Sequence, residues 1–558
     1  MSRLYLSASI PALVATLVAA PAAAQVGTGS APVAAPSGPP VASAVASSAP
    51  RVVVQPYIEA SQTLNWDLNS GDAVTYTQLS AGIDASIATN RVQGQVSYRY
   101  DHLFAYEGEG DYDVHTGLAR ASVALVRGLT LEGGALATRA RADIRGDAPE
   151  NLLGPVGNTS QVYSAYIGPN LSTNVGPVGV NAFYQAGYTK VETPTTTGIG
   201  PDARRLDYYD DSWGHAVGAS VGTQPNTLLP IGVTVSGLYT RETAGQLSQR
   251  YEGWFGRGDV LVPISPTVAV AAGVGYEKIE TSQKDPLFTS PGAPAFDEDG
   301  RFITDPNSPR RISYRTDGVY YDAGVVWRPN RRTELRASVG KRYGSTSYTG
   351  TLTYQASPSV GFGVAVYDTV TTFGRQLRTG LAQLPTSFRT QRDPFGQAFG
   401  GCTFGTTGAA PGGCLDDVFQ SITTASYRAR GIEGVVSAQR GRATYGAGLG
   451  YANRRLHAPG GGSGIVIYGQ EDESYYGQLF YARTLTEVSG FDANLYANYY
   501  DSELPGSDGV WSGGGQASYY HQFGRLQTTA AVGLYAFKVG DFSTDWAAQA
   551  LLGARYTF

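Results

Sequence analysis

From Arg51 onward the chain alternates apolar and polar residues in runs longer than a soluble sheet uses. In Val92 to Tyr106 one face carries Val92, Gly94, Val96, Tyr98, Tyr100, His102, Phe104 and Tyr106, and the other carries Gln93, Gln95, Ser97, Arg99 and Asp101. In Arg332 to Tyr343 the faces are Thr333, Leu335, Ala337, Val339, Lys341 and Tyr343 against Arg332, Glu334, Arg336, Ser338, Gly340 and Arg342. A period of two places successive side chains on opposite faces of a strand. Strands in soluble sandwiches usually run about 5–6 residues. These runs are 15 and 12 residues long, and a tilted strand crosses a bilayer in about 9–11. The expected fold is all-β: a transmembrane antiparallel up-and-down barrel.

The connections agree, because they alternate between short and long. The short set is Ala88–Arg91, Val126–Gly128, Asn174–Pro177, Ile264–Pro266, Arg328–Arg331, Ser357–Ser359, Gln439–Arg442 and Phe523–Arg525. These segments are rich in the Gly, Pro and Asn that tight turns require. Longer segments lie between them, near 143–160, 193–211, 282–313, 375–421, 457–472 and 503–511. Outer-membrane barrels have short periplasmic turns and long extracellular loops. The pattern gives about 22 strands, within a range of 20 to 24, from near Val52 to Phe558. An even count puts both ends of the barrel in the periplasm and every long segment outside.

The first residues supply the address. Met1-Ser2-Arg3 is a short positive region, Leu4 to Ala20 is largely apolar, and Ala22-Ala23-Ala24 is an A-x-A cleavage site. Residues 1–24 therefore read as a secretory signal peptide. Residues 25–50 are nearly all Ala, Pro, Ser, Gly and Val, a composition that cannot bury a core and reads as a disordered periplasmic leader. The barrel then occupies residues 51–558, with the cell outer membrane as the expected location. Past the signal peptide no run approaches the roughly 20 apolar residues of a spanning helix, and only a closed barrel spans a membrane otherwise.

The last strand, Trp546 to Phe558, has an apolar face of Trp546, Ala548, Ala550, Leu552, Ala554, Tyr556 and Phe558. Its other face is Ala547, Gln549, Leu551, Gly553, Arg555 and Thr557. Gly553, Tyr556 and Phe558 resemble the C-terminal signal read by the barrel-assembly machinery. Leu551 departs from that signal, which usually has a polar residue there.

Chemistry-bearing patterns are sparse. The five histidines, His102, His115, His215, His457 and His521, show no metal-ligand spacing with each other or with a Cys. No nucleophile elbow, phosphate loop or zinc-helix motif is present, so no catalytic, cofactor or metal residues are assigned and no enzyme is expected. Cys402 and Cys414 lie in the longest loop, within a Gly-rich stretch. Export to an oxidising compartment favours a disulfide between them over a metal pair. The bridge would stiffen a loop that either folds into the lumen or caps it. Arg99, Asp101, Arg332, Glu334, Arg336, Arg342 and Arg555 fall on polar faces and are candidate lumen charges. Charge rings set ion preference in pores; wall-to-wall salt bridges are the equal alternative. The net charge of −5 is mild, and no nucleic-acid partner is expected.

The segment after the leader opens with Gln55-Pro-Tyr-Ile-Glu-Ala-Ser-Gln62, followed by Leu79-Ser-Ala-Gly-Ile-Asp84 and Val96-Ser-Tyr-Arg-Tyr100. It resembles the outer-membrane barrels associated with exopolysaccharide and PEP-CTERM (exosortase) loci, over the first three strands. The resemblance implies a link to surface-polysaccharide export and carries no functional residues. Three readings stay open. One is a porin-like or polysaccharide-export-associated channel. The second is a non-conducting structural or adhesive surface barrel. The third is a TonB-dependent-type receptor, disfavoured because residues 25–50 are too few for a folded plug, which would have to come from a loop such as 375–421. The expected partners are outer-membrane lipid and lipopolysaccharide, the barrel-assembly machinery and, through the resemblance, polysaccharide-export components. No cofactor is expected.

Overall fold

The computed structural model describes residues 51–106, 111–141, 159–192, 209–290, 293–389, 394–395, 399, 401–419, 422–457, 459, 470–503 and 508–558. The signal peptide and leader fall outside them, as do most of the long segments near 143–160, 193–211 and 457–472. The chain runs through β1 (Arg51–Asp67), β2 (Ala73–Ala88), β3 (Val92–Ala105), β4 (Tyr112–Val126), β5 (Leu129–Arg141) and β6 (Thr159–Val175). It continues through β7 (Val178–Glu192), β8 (Asp211–Thr223), β9 (Gly232–Ala244), β10 (Arg250–Pro263) and β11 (Val268–Gln283). Two short strands, β12 (Phe288–Ser290) and β13 (Ala293–Pro294), pair within the next loop. Then come β14 (Arg311–Asn330), β15 (Thr333–Arg342), β16 (Ser345–Ser357) and β17 (Val360–Thr371). A helix, α1 (Phe373–Gln383), and a hairpin of β18 (Cys402–Thr407) and β19 (Ala410–Cys414) follow. The wall resumes with β20 (Tyr427–Arg440), β21 (Ala443–Leu456), β22 (Glu471–Thr484) and β23 (Ser489–Ser502). It ends with β24 (Val510–Phe523), β25 (Leu526–Val539) and β26 (Asp545–Thr557).

Twenty-two of these strands form one antiparallel sheet, closed by β1 pairing with β26. Closure is what lets a sheet lie in hydrocarbon, because no edge is left unpaired. The outward faces carry exposed apolar side chains, among them Leu79, Val96, Val217, Val235, Val274, Leu449, Leu495, Val532 and Leu552. Exposed aromatics flank this band: Trp66, Trp213, Trp254, Trp511 and Trp546 toward the extracellular end, and Trp327, Tyr445, Phe523 and Phe558 toward the periplasmic end. An apolar belt between aromatic girdles is the exterior of a transmembrane barrel, and this chain is an outer-membrane β-barrel.

At the closing seam the Phe558 backbone N–H donates to the Pro56 carbonyl (3.1 Å), and β26 pairs with β1 from Tyr57 upward. Residues 51–56 pair only with β2, so the end of the chain lies beside Pro56. Leu551 faces the lumen and is buried.

One sector of the wall is low. Wall strand β15 has 10 residues where its neighbour β14 has 20. The β15–β16 connection is only Tyr343-Gly344, both at positive φ (54° and 74°), a turn geometry whose twist suits a two-residue hairpin. Above Gly350, β16 no longer pairs with β17. There β17 leans inward: its Val370 packs against Tyr251 of β10 and Ile279 of β11, on the other flank of the low strands. The sheet is thus a closed ring toward the periplasm and an overlapped one toward the exterior.

Candidate functional site: a segment inserted across the lumen

The longest connection, around 375–421, for which the sequence leaves open an inward fold or a cap, folds into the barrel. It leaves β17 at the extracellular end. Its hairpin tip reaches the periplasmic rim, where the Gly408 N–H donates to the Pro358 carbonyl (2.8 Å) in the β16–β17 turn.

The first half is α1. Phe373, Leu377, Leu381 and Leu384 recur at helical spacing and are all buried. They pack on Leu118, Leu136, Val162 and Val191 of the β4–β7 inner wall. Thr372 caps the start, accepting from the Arg375 N–H (3.4 Å) while donating to Glu242 Oε1 (2.6 Å). Arg120 of β4 closes the other end, donating to the carbonyls of Leu384 (2.9 Å) and Ala382 (2.8 Å). A cation there meets the negative end of the helix dipole. In the middle, Arg378 pairs with Glu242 of β9, and both side chains are buried. Arg378 also donates to Thr189 and Ser212 (both 3.1 Å). Its side chain lies over Gly187 and its guanidinium over Gly214, where a Cβ would collide with it.

The second half is the disulfide hairpin. Cys402 and Cys414 are joined, so no thiolate remains for a metal. The Cys402 N–H donates to Gln478 Oε1 of β22 (2.8 Å), and the Ser437 hydroxyl of β20 donates to the Gly405 carbonyl (2.8 Å). Phe404 stacks on Phe480. The wall beneath is a ladder of glycines on alternate residues of β21. Gly446 lies under Phe404, Gly448 under the disulfide and Gly450 under the Tyr476 ring. Alternation puts all three on the lumen face, and the missing Cβ atoms make the room.

Between the halves the segment touches the remaining wall. The Phe388 N–H donates to Gln95 Oε1 of β3 (3.0 Å) and the Phe399 N–H to Thr138 Oγ1 of β5 (3.2 Å). Phe395 packs on Leu103, Val114, Ala531 and Leu551, residues of β3, β4, β25 and β26. That contact accounts for the apolar Leu551 in the last strand: the lumen side chain meets a ring and not water. A cavity remains between α1 and the β17–β20 wall, lined by Tyr367, Arg375, Gln376, Thr379, Asp417 and Glu433, with others.

Most of the candidate lumen charges are paired. Arg99 meets Asp101 at 2.5 Å and Glu59 at 3.7 Å, all nearly buried. Arg555 bonds Asp84 (2.8 Å) and lies over the Tyr57 ring at 3.3 Å. Arg342 bonds Glu277 (2.8 Å) and lies against the Tyr320 and Tyr343 rings at 4.7 Å. Arg336 and Arg328 share Glu334. Arg332 is a correction: it stands exposed in the β14–β15 turn, outside the lumen, and donates to the Ala356 carbonyl (3.2 Å). The turn between β14 and β15 comprises only residues 331–332, so the strand face to which its alternation assigned it has already ended. Of the barrel-assembly residues, Tyr556 and Phe558 are exposed on the outer face, and Gly553 lies against Ser61 of β1.

The sequence reading missed α1, Arg378, Glu242, Arg120 and the acidic residues at the cavity. Two signals were available: helical spacing at 373, 377, 381 and 384 inside a chain of period two, and the alternating glycines of β21.

Neither a family model nor a curated protein matches this sequence. Among solved structures the chain is similar to FpvAI in its complex with pyocin S2, at 10% identity over 90% of this chain and 70% of that one, with a TM-score of 0.39. It is similar to the siderophore receptor PirA from Acinetobacter baumannii, at 10% identity over 91% and 81%, TM-score 0.37. The apoprotein of the FrpB iron transporter from Neisseria meningitidis gives 9% identity over 90% and 81%, TM-score 0.41.

Proposed function

We propose that this protein is an outer-membrane channel whose passage is set by its own inserted segment, residues 372–426. The observation that carries the reading is the way the segment docks α1 on β4–β7 and its hairpin on β20–β22 across the lumen while leaving a polar cavity beside α1. A barrel of this size would otherwise enclose a wide lumen. The resemblance of the first three strands favours a polysaccharide-linked role for such a channel. A non-conducting surface barrel is the second reading, and the pairing of nearly all candidate lumen charges favours it, because paired charges impose little selectivity on a pore.

Refolded protein in a planar bilayer separates the two. The channel reading expects stepwise currents from the wild type and at least tenfold larger ones when residues 385–421 are replaced by a short Gly-Ser linker. Silence from the wild type together with unchanged, selective loop binding to polysaccharide supports the second reading and ends the first.

A further inference from the structure

Directly after the disulfide hairpin the chain places two adjacent carboxylates, Asp416 and Asp417, against the wall. Glu433 of β20 lines the same cavity as Asp417. Its neighbours across the ladder are Ala365 of β17 and Gly450 of β21, and the Tyr476 phenol lies over Gly450. Asp417 accepts from Tyr367 Oη (2.9 Å) and Gln376 Nε2 (2.7 Å). The Gln376 carbonyl in turn accepts from Tyr427 Oη (2.6 Å). Asp416 lies 3.6 Å from Cys402 Sγ.

Charged and titratable groups surround this cluster from every element packed on it. Arg375 comes from α1, Tyr367 from β17, Tyr427 and Glu433 from β20, Arg454 from β21 and Tyr476 from β22. Arg375 turns its guanidinium to the Tyr251 ring (4.6 Å) and the Val370 carbonyl (3.0 Å). Arg454 is fully buried under the Tyr427 ring and attracts Asp417. Among the described residues, no ion pair forms on Asp416, Asp417 or Glu433. The Tyr476 hydroxyl is buried without a hydrogen-bond partner among them.

We propose that Asp416, Asp417 and Glu433 form a proton-operated lock: as neutral acids they hold the hairpin half of the inserted segment against the β20–β22 wall, and their ionisation releases it. Regulation of this kind rests on the channel reading for its purpose. An ionised carboxylate withdrawn from water is disfavoured unless a cation compensates it, and a second one beside it more so; Arg454 offsets this in part for Asp417 alone. Burial, then the charge of Asp417, pushes the Asp416 carboxyl up to about 7. Burial also raises Asp417, against the pull of Arg454. A group bound more tightly by protons in the seated state gives that state its full advantage below the ordinary aspartate value of about 3.9. For Asp416 the advantage shrinks as pH rises and is gone above about 7.

The buried disulfide gives a readout that needs no current. Full-length refolded protein is treated with tris(2-carboxyethyl)phosphine at pH 5 and pH 8, and the reduction rate is divided by that of a peptide spanning residues 400–416. The ratio should rise at least tenfold between the two pH values in the wild type and less than threefold in Glu433→Gln. Heat-modifiable gel migration confirms that the barrel is intact, and Asp417→Asn is the second variant if Glu433→Gln does not fold. A wild-type ratio that does not change with pH overturns the lock, as does a variant that titrates like the wild type. A silent bilayer with a pH-dependent ratio overturns the channel reading alone. Steady conductance with a flat ratio overturns the lock alone.

Discussion

The helix half and the hairpin half of the inserted segment meet the same barrel through different chemistry. The helix half has its central cation matched: Arg378 on Glu242, with hydroxyls of Thr189 and Ser212 completing the donors. Arg120 takes the carbonyls at the end of α1. The hairpin half brings a disulfide and Phe404 onto glycines, and among the described residues no ion pair forms on its carboxylates. A paired, buried charge is strongly directional, since removing one partner strands the other. A ring over a glycine is held by shape and is lost by degrees. One half is therefore built to stay and the other to be moved.

The largest expected effect tests the half built to stay. Arg378→Ala leaves Glu242 buried and uncompensated, which should cost the helix seat about 3–5 kcal/mol. Hydrogen exchange across residues 373–384 should accelerate accordingly, and adding Glu242→Gln should restore much of the protection. If Arg378→Ala exchanges like the wild type, the contrast between the halves is wrong. Next in size, Cys402→Ser with Cys414→Ser removes the clasp of a short loop, an effect of about 3 kcal/mol in the chain-entropy model. Exchange should rise over residues 402–414 and stay unchanged over α1; loss of protection in both would mean that they release together. Smallest is Gly448→Ala. Its Cβ collides with Cys402 Sγ, and overpacking of this kind costs about 1–3 kcal/mol. Single-channel current should increase as the hairpin is pushed from the wall, with α1 in place.

The barrel was readable because lipid and lumen impose a strict period on every strand and because turn residues mark the periplasmic rim. Counting those turns gave the 22 strands that close the ring. The inserted segment was readable only in part. Length identifies a long connection but carries no direction, so the sequence leaves 375–421 either folded into the lumen or capping it. The information that draws it inward is divided between distant residues: Gly446 and Gly448 make space that only Phe404 and the disulfide explain, and Leu551 looks out of place until Phe395 meets it. Pair partners such as Arg378 and Glu242 stand 136 residues apart and have no local signature. Arg332 failed for a local reason, since alternation was carried one residue past the end of a strand.

The low sector of β15 and β16 has a mechanical meaning. A cylinder hooped by hydrogen bonds resists any change of girth. Here the hoops are complete toward the periplasm, but above Gly350 the ladder between β16 and β17 is open and the edges overlap. Such a collar can widen or tighten by sliding, with no backbone bond broken, while the base keeps its circumference. Arg428 of β20, held by Asp368 of β17 (2.6 Å), reaches across the gap to Ser345 of β16 (2.7 Å) and then acts as its fastener.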